Sequence, residues 1–383
     1  MKVIHVIDSL GGSGGAEHGL VREIALFSAD IDQRVCRLFR KDALQAQLEA
    51  LGIPVFSFGL SSSLATTNWS LATIRLVREI RRLRPDVLHS SLFTANLVAQ
   101  LAGVLTATPV LSTFTLSGDR RLLREFQPGA GSWRASILRW FAGRAARSRR
   151  VWFRSLSQDA LTTNVDLLGV KPERVVVIPR GVPSDLTPAH PRTRLELGLP
   201  VTGRIVLNIG RQTRQKGHRY LVEALAIVRR EIDAHLVILG REGDATEAIR
   251  DAIAQLGIKD HVSLTGYTPW VADYLTHADV FAFASVMEGL GTAVIEAMAA
   301  RIPVVSFDIP PVREVTDAGR AAVLVPLGDV AGLANGIVTL MDPRASERYI
   351  EAGQELVRGR HSLDVVSAKL EQRLREVADA EAP

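Results

Sequence analysis

The sequence predicts an α/β protein built from two doubly wound parallel-sheet domains facing a cleft, and three observations carry that prediction. Short apolar runs of strand length alternate with helix-length amphipathic stretches along almost the whole chain. The alternation is interrupted by a proline-rich stretch, residues 179–203. At 383 residues the chain is longer than one hydrophobic core usually organises.

In the first half the strand-like runs are Val3–Ile7, Gln33–Phe39, Pro54–Phe58, Asp86–Ser90, Pro109–Phe114, Val151–Ser155 and Val175–Ile178. Helical stretches at Ala16–Ser28, Ser70–Leu83 and 92–104 fall between them, as βαβ units require. The second half restarts the cycle with Ile205–Ile209, His235–Leu239, Val262–Thr265, Val280–Ala284, Val304–Phe307 and Ala322–Val325. We therefore expect domains at 1–183 and 184–360, with a charged amphipathic helix in 361–383 packing back across the junction.

The one cysteine, Cys36, excludes an internal disulfide framework and reads as a buried thiol in a strand, which suits a cytoplasmic protein. The first apolar run is interrupted by His5 and Asp8, so it reads as a strand rather than a signal peptide. Residues 88–118 carry no charge, but Asn96, Gln100, Gly103 and Pro109 favour a buried helix and strand over a membrane span. The net charge is only +5, so the placement of basic residues matters more than their sum. Residues 133–154 hold seven arginines, Trp133, Trp140, Phe141, Trp152 and Phe153, and no acid. That pattern fits either docking at an anionic membrane surface or an ordinary helix with its tryptophan face in the core. No nucleic-acid motif accompanies the charge, and no nucleic-acid partner is expected.

Ligands of such sheets bind beyond the carboxyl ends of the strands. After Ile205–Ile209 comes Gly210-Arg211-Gln-Thr-Arg-Gln-Lys216-Gly217, whose glycines let a ligand approach and whose Arg211 and Lys216 offer two charges to a diphosphate. Lys216 is one of only six lysines among 46 basic residues. After Val280–Ala284 comes Glu288-Gly289-Leu290-Gly291-Thr292, opening a helix that contains Glu296. The helix start is an anion site, a carboxylate one turn further in can accept ribose hydroxyls, and Glu288 on the loop is free for sugar hydroxyls or charge at an anomeric carbon.

Two glutamates with seven residues between them, the first followed by Gly-x-Gly and the second by Ala-Met-Ala, resemble the signature of glycosyltransferase family 4, retaining enzymes of the GT-B architecture with two Rossmann-like domains. The resemblance runs along the whole chain. Gly14-Gly15-Ala16-Glu17 is similar to the family's loop beside the donor phosphates, Asp86–His89 to its strand-end histidine motif, and Gly266, with Tyr267 after it, to the turn at the nucleotide base. The resemblance implies transfer of a hexose, with retention, from a UDP-, GDP- or other nucleoside-diphosphate sugar to a glycan, lipid-linked or small acceptor, with no further cofactor. It implies Arg211 and Lys216 on diphosphate, Glu296 on ribose and Glu288 on the transferred sugar, with Arg211, Lys216 and Glu288 as the catalytic set.

Three positions depart from the family pattern: Thr115 stands where a histidine is usual, Arg301 where glycine is, and Arg180 where asparagine is. Asp30-Ile31-Asp32 has the spacing of a metal-binding pair but falls at a helix-to-strand turn, and no metal is assigned. A nucleotide-sugar epimerase of the same architecture, or a degenerate member that binds without transferring, would share most of these residues. An NAD-binding oxidoreductase fits worse: the first loop has Glu17 where the third glycine belongs, and the second strand ends in Arg40-Lys41 where an acid is wanted.

Overall fold

The computed structural model describes residues 1–12, 14–61, 66–114 and 133–380. The chain divides into two compact units, Met1–Gly181 joined by the chain from Leu363 onward, and Val182–Ser362.

In the first unit, strands β1 (Lys2–Ile7), β2 (Asp32–Phe39), β3 (Val55–Leu60), β4 (Val87–Ser91), β5 (Val110–Phe114), β6 (Val151–Ser155) and β7 (Val175–Val177) form a sheet of order β3-β2-β1-β4-β5-β6-β7, every pairing parallel. Its helices are α1 (Gly15–Ile24), α2 (Gln45–Ala50), α3 (Thr66–Leu83), α4 (Phe93–Thr106), α5 (Trp133–Ala146) and α6 (Gln158–Leu168). In the second unit, β8 (Arg204–Ile209), β9 (Ala234–Leu239), β10 (Val262–Gly266), β11 (Val280–Phe283), β12 (Val304–Phe307) and β13 (Val323–Val325) form a parallel sheet of order β10-β9-β8-β11-β12-β13. Its helices are α7 (His218–Val228), α8 (Thr246–Gln255), α9 (Val271–Thr276), α10 (Thr292–Ala299), α11 (Pro310–Val315), α12 (Val330–Leu340) and α13 (Pro343–Leu356). Strand order reverses between β1 and β4 and again between β8 and β11, and those two crevices are where ligands of doubly wound sheets bind.

The central strands are buried on both faces, which is why they read as continuous apolar runs rather than as alternation. Local signals set the helix ends. Ser157 caps α6 by accepting the Ala160 amide at 3.1 Å, and Asp329 caps α12 by accepting the Gly332 amide at 2.8 Å. The predicted helix Ala16–Ser28 stops at Ile24 instead. Beyond it the amides of Leu26 and Phe27 bond only three residues back, and Ser28 gives its amide and hydroxyl to Glu371, both at 2.8 Å. Glu371 lies on α14 (Leu363–Asp379), the last helix, whose Leu370, Leu374 and Val377 are buried with Leu20 and Ile24 of α1 on one face of the first sheet. The opposite face carries α3, α4 and α5.

A buried ion cluster crosses the first unit. Arg154 of β6 and Glu23 of α1 are both fully buried and joined by two bonds of 2.8 Å. Arg154 Nε also donates to Ile178 O at 2.9 Å, and Arg180 Nη1 reaches the same Glu23 carboxylate at 3.3 Å. Two guanidiniums thus share one carboxylate, and Gly19 makes room: a Cβ there would lie 2.6 Å from Arg180. Burial lowers Arg180 to about 10, against the opposing pull of Glu23.

Part of the basic aromatic segment is core. Arg154 is in the core, not in a surface patch; Phe153 is buried and stacked on Phe114 at 4.3 Å; Trp152 lies in β6 under the Arg373 guanidinium. Arg144 sits four residues after Trp140 on the same side of α5, so the face that carries Trp140 is not purely apolar. Trp140 is 65% exposed, whereas Phe141 packs on Trp69 of α3.

Other residues singled out in the sequence belong to structural groups. His89 lies inside β4 rather than at its end, buried, with Nδ1 3.0 Å from His5 Nδ1, and burial holds it well below its usual range. Cys36 is buried and free. Asp30 accepts two bonds from Arg375 of α14. No helix among the described residues is long and apolar enough to cross a membrane.

Candidate active site

In the second unit the chain leaves β8 at Gly210, whose amide donates to Leu239 O at 2.8 Å. Gly240, just past β9, passes directly behind it. At its φ of 153° a Cβ would stand 2.0 Å from Gly210 O, so no other residue fits. The Gly240 amide donates in turn to Gly266 O at 2.9 Å, so the turns after β8, β9 and β10 are layered on one another. Tyr267 follows, 57% exposed.

The loop after β8 is braced from beneath. Gln212 is buried, donating to Gly240 O at 3.0 Å, and His218 at the start of α7 contacts Asn208 Oδ1 at 3.0 Å. Asn208 in turn donates to Ala282 O at 2.8 Å, tying the loop to β11. Burial, with the Lys216 charge, pulls His218 down to about 3, so the ring is neutral across the working pH range. Arg211 projects from this loop, exposed, with no side-chain partner among the described residues.

The loop after β11 docks onto the loop after β8. Val286 donates its amide to Gln215 O at 2.9 Å, and Gln215 Nε2 donates to Met287 O at 2.8 Å. Gly217, at φ 62°, abuts the end of β11 so closely that a Cβ would meet Ala284 O at 2.0 Å. These contacts bring Lys216 Nζ to 2.5 Å from Glu288 Oε1, the two side chains 72 residues apart in sequence. Gly289 and the buried Leu290 lead to Gly291, at φ 89°, which begins α10 with no side-chain cap. The first amides of α10, at Thr292 and Ala293, point outward from the carboxyl edge of the sheet, and Glu296 lies half-buried one turn further in.

Of the predicted residues, Gly210, Arg211, Lys216, Gly266, Tyr267, Glu288, Gly289, Leu290, Gly291, Thr292 and Glu296 therefore occupy consecutive turns at the carboxyl edge of the second sheet, with Lys216 and Glu288 in direct contact. Gly14 and Gly15 belong to the first unit. There Gly14 begins α1, and Glu17 holds the loop by accepting the amides of Gly11 at 3.0 Å and Gly14 at 3.2 Å and the Ser9 hydroxyl at 2.5 Å. Gly15 is exposed with open space at its Cα. Thr115 lies outside the described residues. Arg180 belongs to the buried cluster, and Arg301 takes a left-handed φ of 62° at the end of α10.

Sequence reasoning missed the bracing groups Glu17, Gln212 and His218. A glutamate three residues into a helix was a visible sign for Glu17. Nothing local marks the other two, whose partners lie across the sheet.

Two parallel Rossmann-like sheets, with a basic glycine loop, a paired carboxylate and an open helix start gathered at one reversal of strand order, define a GT-B glycosyltransferase that uses a nucleotide-sugar donor. Comparison with known proteins gives the family. The model described as a glycosyl transferase 4-like domain matches residues 11–181, and that of glycosyl transferases group 1 matches residues 190–356. The chain belongs to glycosyltransferase family 4. It is 32% identical over 295 residues to a phosphatidyl-myo-inositol mannosyltransferase of Mycobacterium leprae, covering 74% of this chain and 72% of the relative. It is 30% identical over 322 residues to a 2-deoxystreptamine N-acetyl-D-glucosaminyltransferase of Streptomyces fradiae, covering 79% and 74%. Among solved structures, Anabaena Alr3699/HepE in complex with UDP and glucose superposes with a TM-score of 0.82 at 21% identity, over 98% of this chain and all of that one.

Proposed function

We propose that the protein transfers a hexose, with retention of configuration, from a nucleoside-diphosphate sugar to an acceptor presented at the cytoplasmic face of a membrane. The contact between Lys216 and Glu288 carries this reading, because it sets a phosphate-binding cation and a sugar-facing carboxylate side by side at the mouth of an uncapped helix. The diphosphate would lie across Arg211, Lys216 and the first amides of α10, with its charge met by these groups and no metal or further cofactor. Glu296 would accept the ribose hydroxyls, Tyr267 would border the base, and Glu288 would take hydroxyls of the transferred sugar. Gly15, next to the Gly14 held by Glu17, would leave backbone open to the phosphates or the acceptor.

In the reaction the bond from the anomeric carbon to the phosphate oxygen breaks and its electron pair leaves with the nucleoside diphosphate. The acceptor hydroxyl attacks from the same face and passes its proton to that phosphate oxygen. Arg211 and Lys216 stabilise the departing charge, and Glu288 stabilises the cationic carbon. The membrane setting is supported by relatives whose names specify lipid acceptors: the phosphatidyl-myo-inositol mannosyltransferase, and a GDP-mannose:cellobiosyl-diphosphopolyprenol alpha-mannosyltransferase of Xanthomonas campestris that is 30% identical over 197 residues.

The test is thermal melting of wild type and Glu296→Ala with UDP, GDP, ADP, TDP and their sugars. Near a hundredfold excess over its dissociation constant, the right nucleotide stabilises by about 2.7 kcal/mol. A response to one nucleotide that is lost in the variant supports the assignment. Absence of any response overturns it.

A further inference from the structure

The turns after β1 and β4 meet at the carboxyl edge of the first sheet, where its strand order reverses. Asp8 follows the last residue of β1 and reaches across to the start of α4, where its carboxylate accepts the Ala95 amide at 2.6 Å and the amide and hydroxyl of Thr94. An ionised carboxylate has about four acceptor sites, so capacity for a further donor remains. Asp8 is half-buried, within reach of a ligand in the crevice. Phe93, the first residue of α4, stands next to Thr94 and is 47% exposed. Ser91 ends β4 level with Ile7, buried, with a hydroxyl that has no partner among the described residues.

Burial pushes the Asp8 carboxyl up to about 6, against the pull of its Ala95 and Thr94 donors, and the Glu17 charge on α1 adds to the rise. The other ionisable groups of the neighbouring elements are engaged elsewhere or turned to solvent. His18 Nε2 lies 2.8 Å from Gly12 O, and His89 of β4 is paired with His5. After β2, Arg40 donates to Gly59 O at 3.1 Å, and Lys41 is exposed with its stem beside Gly11. Helix α4 carries no charged residue. A carboxylate with a second one near it repels phosphate and holds hydroxyl or ammonium donors. An exposed aromatic ring beside it suits the apolar face of a saturated ring.

We propose that Asp8 and Phe93 select the acceptor, binding as its reacting end a polyhydroxylated ring that bears hydroxyls or an ammonium, and no phosphate, on the face they meet. The inference rests on the sugar-transfer reading and narrows its acceptor class. Asp8 accepts a hydrogen bond from one ring hydroxyl or ammonium, and the Phe93 ring covers an apolar face of the same ring. The protonated acid has less acceptor capacity and no charge, so binding strengthens as pH rises through about 6.

The test is ligand-detected NMR titration of the full chain with myo-inositol, glucosamine and glucose 6-phosphate. Wild type should bind myo-inositol or glucosamine and not the phosphate, and the choice between the first two reports whether a hydroxyl or an ammonium meets Asp8. Asp8→Asn keeps an oxygen for the Ala95 amide and should weaken that binding about tenfold, the usual loss of a charge-assisted hydrogen bond. The wild-type Kd should climb as pH falls below about 6, and the variant Kd should not. Phe93→Ala, at an exposed position, should weaken binding severalfold. Binding of glucose 6-phosphate in place of the other two, binding of none of the three, or an Asp8→Asn variant with the wild-type Kd and pH profile would each overturn the proposal. The nucleotide-induced melting shift, read on the same preparations, reports the donor site separately. Ring binding without that shift tells against the donor assignment alone, and the shift without ring binding tells against the acceptor assignment alone.

Discussion

Replacing Glu288 with Gln should pull apart two properties that most active-site changes damage together. In the free protein the Glu288 carboxylate neutralises Lys216 across 2.5 Å, with both side chains largely shielded from solvent. A diphosphate bound at Lys216 must share that ammonium with the carboxylate and feel its repulsion. At roughly 6 Å and an effective dielectric near 20 that repulsion is on the order of 3 kcal/mol. Freeing Lys216 from the carboxylate acts in the same direction, and screening by the solvent that reaches both side chains reduces the sum, so a net gain of about 1 kcal/mol for the product nucleotide is the expected balance, a roughly fivefold smaller Kd. Turnover should move the other way. An amide cannot offset positive charge at the anomeric carbon as a carboxylate does, and loss of one such preorganised group costs about a hundred- to a thousandfold in kcat. Calorimetric titration with the nucleoside diphosphate and single-turnover measurement of sugar release read the two effects independently. Weaker nucleotide binding in the Gln variant, or undiminished turnover, would show that Glu288 does not stand between phosphate and sugar.

Three further changes follow from the packing. Glu23→Gln leaves two buried guanidiniums without a counter-charge and should destabilise the first unit by about 3–5 kcal/mol in urea unfolding, whereas a loss under 1 kcal/mol would mean the cluster is not held by charge. Arg301→Gly removes a side chain from a left-handed backbone position at a helix end and should stabilise by about 1 kcal/mol, seen as a Tm rise of about 2–4 °C; a lower Tm would contradict the backbone reading. Acid should weaken both units. His5 is held at about 4 and His218 at about 3, in each case chiefly by burial, below the ordinary 6.5, so the unfolded chain takes up protons that the folded chain refuses. Stability is full above pH 6.5 and falls towards pH 4, by about 2 kcal/mol per histidine at pH 5. His5→Gln should flatten that slope in the first unit, and an unchanged slope would refute the assignment.

The sheet strands were legible because a parallel sheet covered on both faces forces near-continuous apolar runs, and β6 and β12 fall on the residues read from the sequence. The loops after β8 and β11 were legible for a related reason: glycines and charges concentrate where a strand ends and a ligand must come close. What the sequence hides is pairing over distance. Arg154 reads as one more member of a basic run, and only Glu23, 131 residues earlier, makes it a core residue. Lys216 and Glu288 each stand out locally, yet their contact depends on Gln215 and Gly217 docking one loop on the other. Arg301 looked like a departure in chemistry, and the structure makes it one of backbone conformation.

The chain leaves the first unit after Gly181 and re-enters it at Leu363, and the two crossings are adjacent: Val182 pairs with Ser362, and its amide donates to His361 O at 2.9 Å. The second unit is thus an insertion, and the helix that closes one core of the first unit is made only after the whole of the second unit. Leu370, Leu374 and Val377 cover Leu20 and Ile24, so during synthesis that apolar face stays uncovered while residues 182–362 are translated. At ordinary elongation rates this is an interval of about ten to forty seconds. A ribosome-bound first unit is therefore a natural client for a chaperone that shields apolar surface, and a chain truncated before Leu363 would expose that face permanently.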